Sequence, residues 1–247
     1  MRQPDPMPVL VFDLDGTILC CNSFPLWTLF LMTGRVGVRH RGLLSLRVLS
    51  LLLQRKIGRL SHDEFQRCLQ AAWQAATAGR DPDLTSRFEA VLLRRVRANM
   101  RACLDLIVER QLDAVLATAA AADYAEAFGR RLGFRHVLAT RSGRSVGEPS
   151  NSGVMKRQRV VAFLRDIGWC GRPLILFTDH IDDLPLIQAC GVVCWFGSAE
   201  SLAVVNAMAA DTRFIHCRDM TGEALLATAN ALCGCPPVRA LSAITAS

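Results

Sequence analysis

The feature that most constrains this chain is a recurring pattern: a short, unbroken apolar run that ends on an oxygen-bearing side chain. Residues 8–13 read PVLVFD, residues 112–118 read LDAVLAT and residues 173–179 read PLILFTD. Runs this short, with no polar alternation, suit strands buried on both faces, as in parallel sheets. Residues 191–196 (GVVCWF) and 213–217 (RFIHC) extend the series. Apolar spacing predicts helices between the runs, over 97–110, 121–132, 154–167 and 183–190. Alternating strands and helices imply an α/β fold, a doubly wound (Rossmann-like) parallel sheet. Ligands bind such sheets at the carboxyl ends of the strands. Asp13, Thr118 and Asp179 each close a predicted strand, so all three should meet at one site.

The spacing breaks once. Asp13 and Thr118 stand 105 positions apart, whereas a simple strand–helix–strand unit takes about 30 residues. Residues 24–95 are therefore expected to be an inserted all-α cap, with residues 1–23 and 96–247 forming the α/β core. The insert contains helical stretches such as GLLSLRVLSLLLQRKIGRL and DEFQRCLQAAWQAATAG. Ser61 with Glu64 makes a capping box that opens a helix, and Asp81-Pro82 marks a second helix start at Pro82. Charge separates along the same boundary. The insert holds 12 basic and 5 acidic residues, whereas the rest of the chain holds 17 of each. The formal net charge of +7 thus resides in the insert.

Composition excludes several classes. Hydrophobic residues make up 51% of the 247 positions, enough for a packed core rather than a disordered chain. Of the ten cysteines, Cys20, Cys21, Cys68, Cys103, Cys190 and Cys194 lie in apolar stretches and read as small core residues. No CxxC pair or finger-like Cys/His spacing marks a metal site. The N-terminus lacks the pattern of a secretory signal, and no apolar run reaches the length of a membrane span, about 18 residues. A reduced, cytoplasmic protein is expected. Basic residues are not densely clustered and aromatics are sparse at 6%, so nucleic acid is not an expected partner.

The first run continues as FDLDGT, residues 12–17. A carboxylate at a strand end and another two residues later can both face one site where the chain leaves through a Gly-Thr turn. Such a pair suits a hard cation such as Mg²⁺, which takes oxygen ligands and offsets their repulsion. It equally suits divided labour between a nucleophile and a proton shuttle. The competing reading is a turn in which Asp and Thr cap the next helix.

FDLDGT resembles the first motif of the haloacid dehalogenase superfamily of aspartate-nucleophile phosphohydrolases, and the resemblance continues in order along the chain. The stretch 114–141, beginning AVLATAAAADYAEAF, resembles the second-motif strand and helix of the phosphoserine-phosphatase-like branch, with Thr118 in the Ser/Thr slot. NSGVMK, residues 151–156, resembles the stretch bearing the third-motif lysine, Lys156. LFTDHIDDLPL, residues 176–186, resembles the fourth motif, with Asp179 and Asp183. The resemblance implies that Asp13 attacks phosphorus and that Asp15 serves as acid and then base. It gives Thr118 a phosphoryl oxygen to bind and Lys156 the developing charge to neutralise. Asp13, the Asp15 carbonyl and Asp179 would hold Mg²⁺, with Asp183 as a further ligand or as an orienter of the site. Thr17, Ala119, Asn22 and Ser23 would contact the substrate, a small-molecule phosphomonoester. Dehalogenases of this fold lack the second aspartate, so Asp15 favours phosphoryl transfer to water.

Two stretches depart from the pattern. The fourth motif reads Thr178-Asp179-His180 where Gly-Asp-Ser or Gly-Asp-Gly is usual, and Ala119–Ala122 stand where Gly or Ser is common. Asn22 and Ser23 replace the glutamate with which phosphoserine phosphatases read the substrate amine, which argues against phosphoserine itself. The apolar, arginine-bearing stretch of the insert reads as cap core. The alternative is an interfacial surface making peripheral membrane contact and admitting lipid phosphates. A non-catalytic module that binds phosphate or accepts it on Asp13 is the rival of another class.

Overall fold

The computed structural model describes residues 7–33, 41–77, 83–145 and 148–233. The chain enters on β1 (Val9–Phe12), followed by four helices: α1 (Ser23–Thr33), α2 (Arg41–Lys56), α3 (His62–Thr77) and α4 (Leu84–Leu93). Next come α5 (Ala98–Glu109), β2 (Ala114–Ala121), α6 (Ala122–Arg131), β3 (His136–Thr140) and α7 (Gly153–Asp166). The chain ends with β4 (Leu174–Thr178), α8 (Leu184–Ile187), β5 (Val192–Trp195), α9 (Ala199–Met208), β6 (Arg213–His216) and α10 (Gly222–Cys233). The strands form one sheet in the order β3-β2-β1-β4-β5-β6, and every pairing is parallel.

The chain winds outward from β1 to β3 and then crosses back to β4, so the switch point lies beside β1, where ligands of such sheets bind. Strand side chains alternate between two cores. Leu10, Phe12, Leu116, Ile175 and Phe177 pack on one face, while Val9, Val11, Val115, Leu176 and Trp195 pack on the other. This period of two follows from the strand's alternating Cβ directions. Phe12 and Phe177 stack across β1 and β4 with ring centroids 4.1 Å apart.

Several details differ from expectation. β2 does not end at Thr118 but runs on to Ala121, with a register shift against β3 between Ala117 and Ala121. β3, α9 and α10 had no clear signal in the sequence. β3 lies at the sheet edge and is only half-buried over its first three residues, so it lacks the continuous apolar signature. The helix expected over 183–190 is one turn, entered through Pro185. Cys20 is exposed and Cys21 and Cys68 are half-buried, whereas Cys103, Cys190 and Cys194 are buried as expected.

Helices α1–α4 all lie between β1 and β2. At their base the two connecting segments pair: Leu19 bridges Val96, Cys20 N–H donates to Arg95 O, and Arg97 N–H donates to Ile18 O. Ser61 and Glu64 form the reciprocal capping bonds of α3. The helix start expected at Pro82 lies outside the described residues. The described residues of the helical layer share the core of the sheet. Trp27 and Phe88 each lie 5.1 Å from the ring of Tyr124 on α6, and Trp27, Leu69, Trp73 and Phe88 belong to the hydrophobic cluster that covers one face of the sheet.

Candidate active site

Asp13 follows β1 in extended conformation, its N–H still paired to Phe177 O on β4. The chain then makes one irregular turn over Leu14–Ile18, with Gly16 at φ +73°. Glycine is required here twice over. The backbone lies in the left-handed region, and a Cβ would sit 1.8 Å from Asp179 Oδ2. The loop after β4 therefore packs directly on the loop after β1, and Thr17 Oγ1 donates to Asp179 Oδ1 at 3.4 Å.

Lys156, buried at the start of α7, joins two further carboxylates. Its Nζ lies 2.7 Å from Asp13 Oδ1 and 2.8 Å from both oxygens of Asp183. Asp183 Oδ2 also accepts from Thr178 Oγ1 at 2.6 Å. Asn151 sets the approach to α7: its Nδ2 donates to Thr118 O and Leu138 O, tying the loop to β2 and β3.

The two neighbouring aspartates have different surroundings. Burial pushes the Asp13 carboxyl up to about 8, with Asp183 and Asp15 adding to the rise and Lys156 opposing it. Burial alone would lower the Lys156 ammonium, but the carboxylates of Asp13 and Asp183 hold it above its ordinary value. Burial raises Asp15 only to about 6, because Ser23 donates to it twice. Ser23 N–H reaches Asp15 Oδ1 at 2.8 Å and Ser23 Oγ reaches Oδ2 at 3.0 Å. Ser23 Oγ in turn shares a 2.7 Å hydrogen bond with Tyr124 Oη. Asp179 is also raised, by burial and by Asp183.

These groups open on a cavity of about 580 Å³. Asp13, Asp15, Thr118, Ala119, Asn22, Lys156, Asp179 and Asp183 all line it. Thr17 and Ser23 do not. Both are fully buried behind the wall, Thr17 against Asp179 and Ser23 against Asp15. The sequence reading missed His62 and Gln66 of α3, Arg97, Cys20, Cys21, Ser150 and Ser152 in the wall. Gln66 is seated by Ala119 O, to which it donates at 3.2 Å, and by Arg144, which donates to it at 2.9 Å. Arg97 donates to Gly16 O at 2.8 Å and so pins the turn. No short motif marks these residues: His62 and Gln66 reach the wall through the docking of α3, and the others from segments before or after other elements that converge on the strand ends.

The donor set fits a small hard cation. Among the described residues no three acidic, histidine or cysteine side chains form a ready metal cage. Asp13 and Asp179 both line the cavity, and carboxylate oxygens are the donors a hard cation takes from protein. Burial raises the carboxyls of Asp13 and Asp179 even with Lys156 nearby, and a cation beside them would favour their ionised forms.

A doubly wound parallel sheet with a carboxylate-lined cavity at its switch point places the chain among the α/β proteins whose sites form at strand ends. The family model of haloacid dehalogenase-like hydrolases matches residues 10–188, and the chain belongs to that family. Solved structures share the fold at low identity. A protein of unknown function from Bordetella pertussis Tohama I is 20% identical, with 85% of this chain and 99% of that chain covered and a TM-score of 0.67. A probable phosphoserine phosphatase from Vibrio cholerae is 12% identical over 94% of this chain and 68% of that one, with a TM-score of 0.61. A substrate-bound phosphoserine phosphatase is 11% identical over 91% and 99%, with a TM-score of 0.50. No curated protein matches the chain in sequence.

Proposed function

We propose that this hydrolase is a Mg²⁺-dependent phosphomonoesterase that passes a phosphoryl group through Asp13. The observation that carries the reading is the joint placement of Asp13, Asp15, Lys156 and Asp179 on one cavity. Asp13 attacks phosphorus through the carboxylate oxygen not bound to Lys156, forming an aspartyl-phosphate as the P–O bond to the leaving group breaks. Asp15 gives its proton to the departing oxygen, then takes one from the water that hydrolyses the intermediate. A group poised near 6 serves both steps at neutral pH. Lys156 neutralises charge on the transferred group, and Thr118 offers its hydroxyl to a phosphoryl oxygen. Asp13, the Asp15 carbonyl and Asp179 would hold Mg²⁺, which when bound would supply the charge neutralisation that lets an anionic carboxylate meet an anionic phosphate. Asp183, with both oxygens engaged by Lys156, orients the lysine.

Helices α1–α4, residues 24–95, act as a cap that narrows the cavity and selects the substrate. Their contribution to the wall is polar, through His62 and Gln66, which suits a small organic phosphate.

The test is turnover of p-nitrophenyl phosphate with Mg²⁺. Turnover is expected in the native protein and should fall by about 10⁴-fold or more in Asp13→Asn. A folded, Mg²⁺-loaded protein with no turnover would instead make the chain a phosphate-binding module. Equal activity in Asp13→Asn would remove the nucleophile from this reading.

A further inference from the structure

Helix α2 is apolar on two opposite faces, and within the described residues only one of them is packed. Val48 and Leu51 point inward and are buried. Leu46, Leu49, Leu53 and Ile57 point outward, exposed at 64%, 44%, 55% and 62%. Spacings of three and four residues put these four on a single stripe along the helix and its following turn. Scattered exposed aliphatics are ordinary, but four in line make a continuous patch that soluble surfaces rarely present.

Charge indicates what covers it. No acidic residue occurs between Asp15 and Asp63. Arg47 and Lys56 border the stripe on either side, and Arg55 and Arg59 are exposed toward its C-terminal end. From these features we infer that the outer face of α2 docks on an anionic lipid bilayer. The leucines and Ile57 would enter the boundary between head groups and acyl chains, and the flanking cations would meet lipid phosphates. A second copy of the chain would bring two basic faces together, which like-charge repulsion opposes. No described helix is long and apolar enough to cross a membrane, so the contact is one of lying on the surface. The turn after α2 leads into His62, a wall residue of the cavity, which sets the docked surface beside the site. The docking itself does not depend on the proposed reaction.

Flotation of the full chain with phosphatidylcholine vesicles, with and without phosphatidylglycerol, tests the inference. The protein should float with the anionic vesicles, remain behind with neutral ones, and detach as salt rises. Changing Leu46→Ser, Leu49→Ser and Leu53→Ser together should lower the bound fraction at least about tenfold. Circular dichroism should be unchanged, since all three side chains face outward. Arg47→Gln with Lys56→Gln should weaken binding and flatten its salt dependence. Three outcomes would overturn the inference: no flotation at low salt, flotation unaffected by the leucine changes, or a dimer in sedimentation velocity that those changes dissolve without any vesicle binding.

Discussion

The sheet and the helical layer over it are built on opposite plans. Sheet strands are plain, filled with Val, Leu, Ile and Phe, and their polar chemistry gathers where they end. The helical layer carries the aromatic cluster, the net positive charge and an exposed apolar stripe, yet among the described residues only His62 and Gln66 of its helices line the cavity. The contrast teaches where tolerance lies. Around Lys156, buried charges depend on each other and no partner can be dropped. On α2, side chains face outward and can change at little cost to the fold.

Lys156→Ala should break the site first. It leaves the buried Asp183 without the cation that engages both its oxygens and should cost about 3–5 kcal/mol in urea unfolding of the metal-free protein. Leu53→Ser on the outer face of α2 should stay within about 0.5 kcal/mol. Similar costs for the two would erase the contrast. Gly16→Ala comes next. It forces a left-handed backbone onto alanine and drives a Cβ into Asp179. It should lower kcat about 100-fold by displacing that carboxylate and cost about 1–3 kcal/mol in stability.

In the proposed reaction Ser23 would serve as a positioning residue, holding Asp15 from behind the cavity wall. Ser23→Ala removes the hydroxyl bond to Asp15 and should lower kcat about tenfold, the equivalent of one charge-assisted hydrogen bond. It should also move the alkaline limb of the pH–rate profile upward, since the lost bond favoured the ionised form. Tyr124→Phe should move the limb the same way by less. A Ser23→Ala enzyme with lower kcat and an unmoved limb would mean that Ser23 only supports the fold.

The smallest effect is a pH trend in stability. Without metal, the folded protein keeps protons on Asp13 to about pH 8 and on Asp15 to about pH 6. The unfolded chain releases them near the ordinary carboxylate value, about 4. The folded state therefore holds more protons across this window, so stability should fall as pH rises from about 4 to 8. Mg²⁺ competes with those protons and should raise Tm more at pH 8 than at pH 5. A metal-free Tm that climbs over the same window would contradict the placement of these carboxyls.

The strand ends were legible because burial leaves a local mark. Each apolar run announces a two-faced strand, and the residue that ends it announces the site. Asp13 and Asp179 were found this way. One interval too long for a simple strand–helix–strand unit signalled extra helices between β1 and β2, where α1–α4 lie. The family resemblance implied that Thr17 and Ser23 contact the substrate, but packing turned both inward. The fusion of the helical layer with the sheet through Trp27, Phe88 and Tyr124 left no local signal, since each ring looks the same in sequence whichever neighbour it meets.

By itself the sequence determined a parallel sheet built on alternating strands and helices, and the carboxylates at its strand ends, because these follow from short-range periodicity, while the edge strand β3 and helices α9 and α10 left no clear mark. Tertiary structure alone decided which partners those carboxylates would have. Lys156 meets Asp13 across 143 positions and Ser23 meets Tyr124 across 101. Such pairings depend on crossover, register and helix docking, which set side-chain distances that no local pattern encodes.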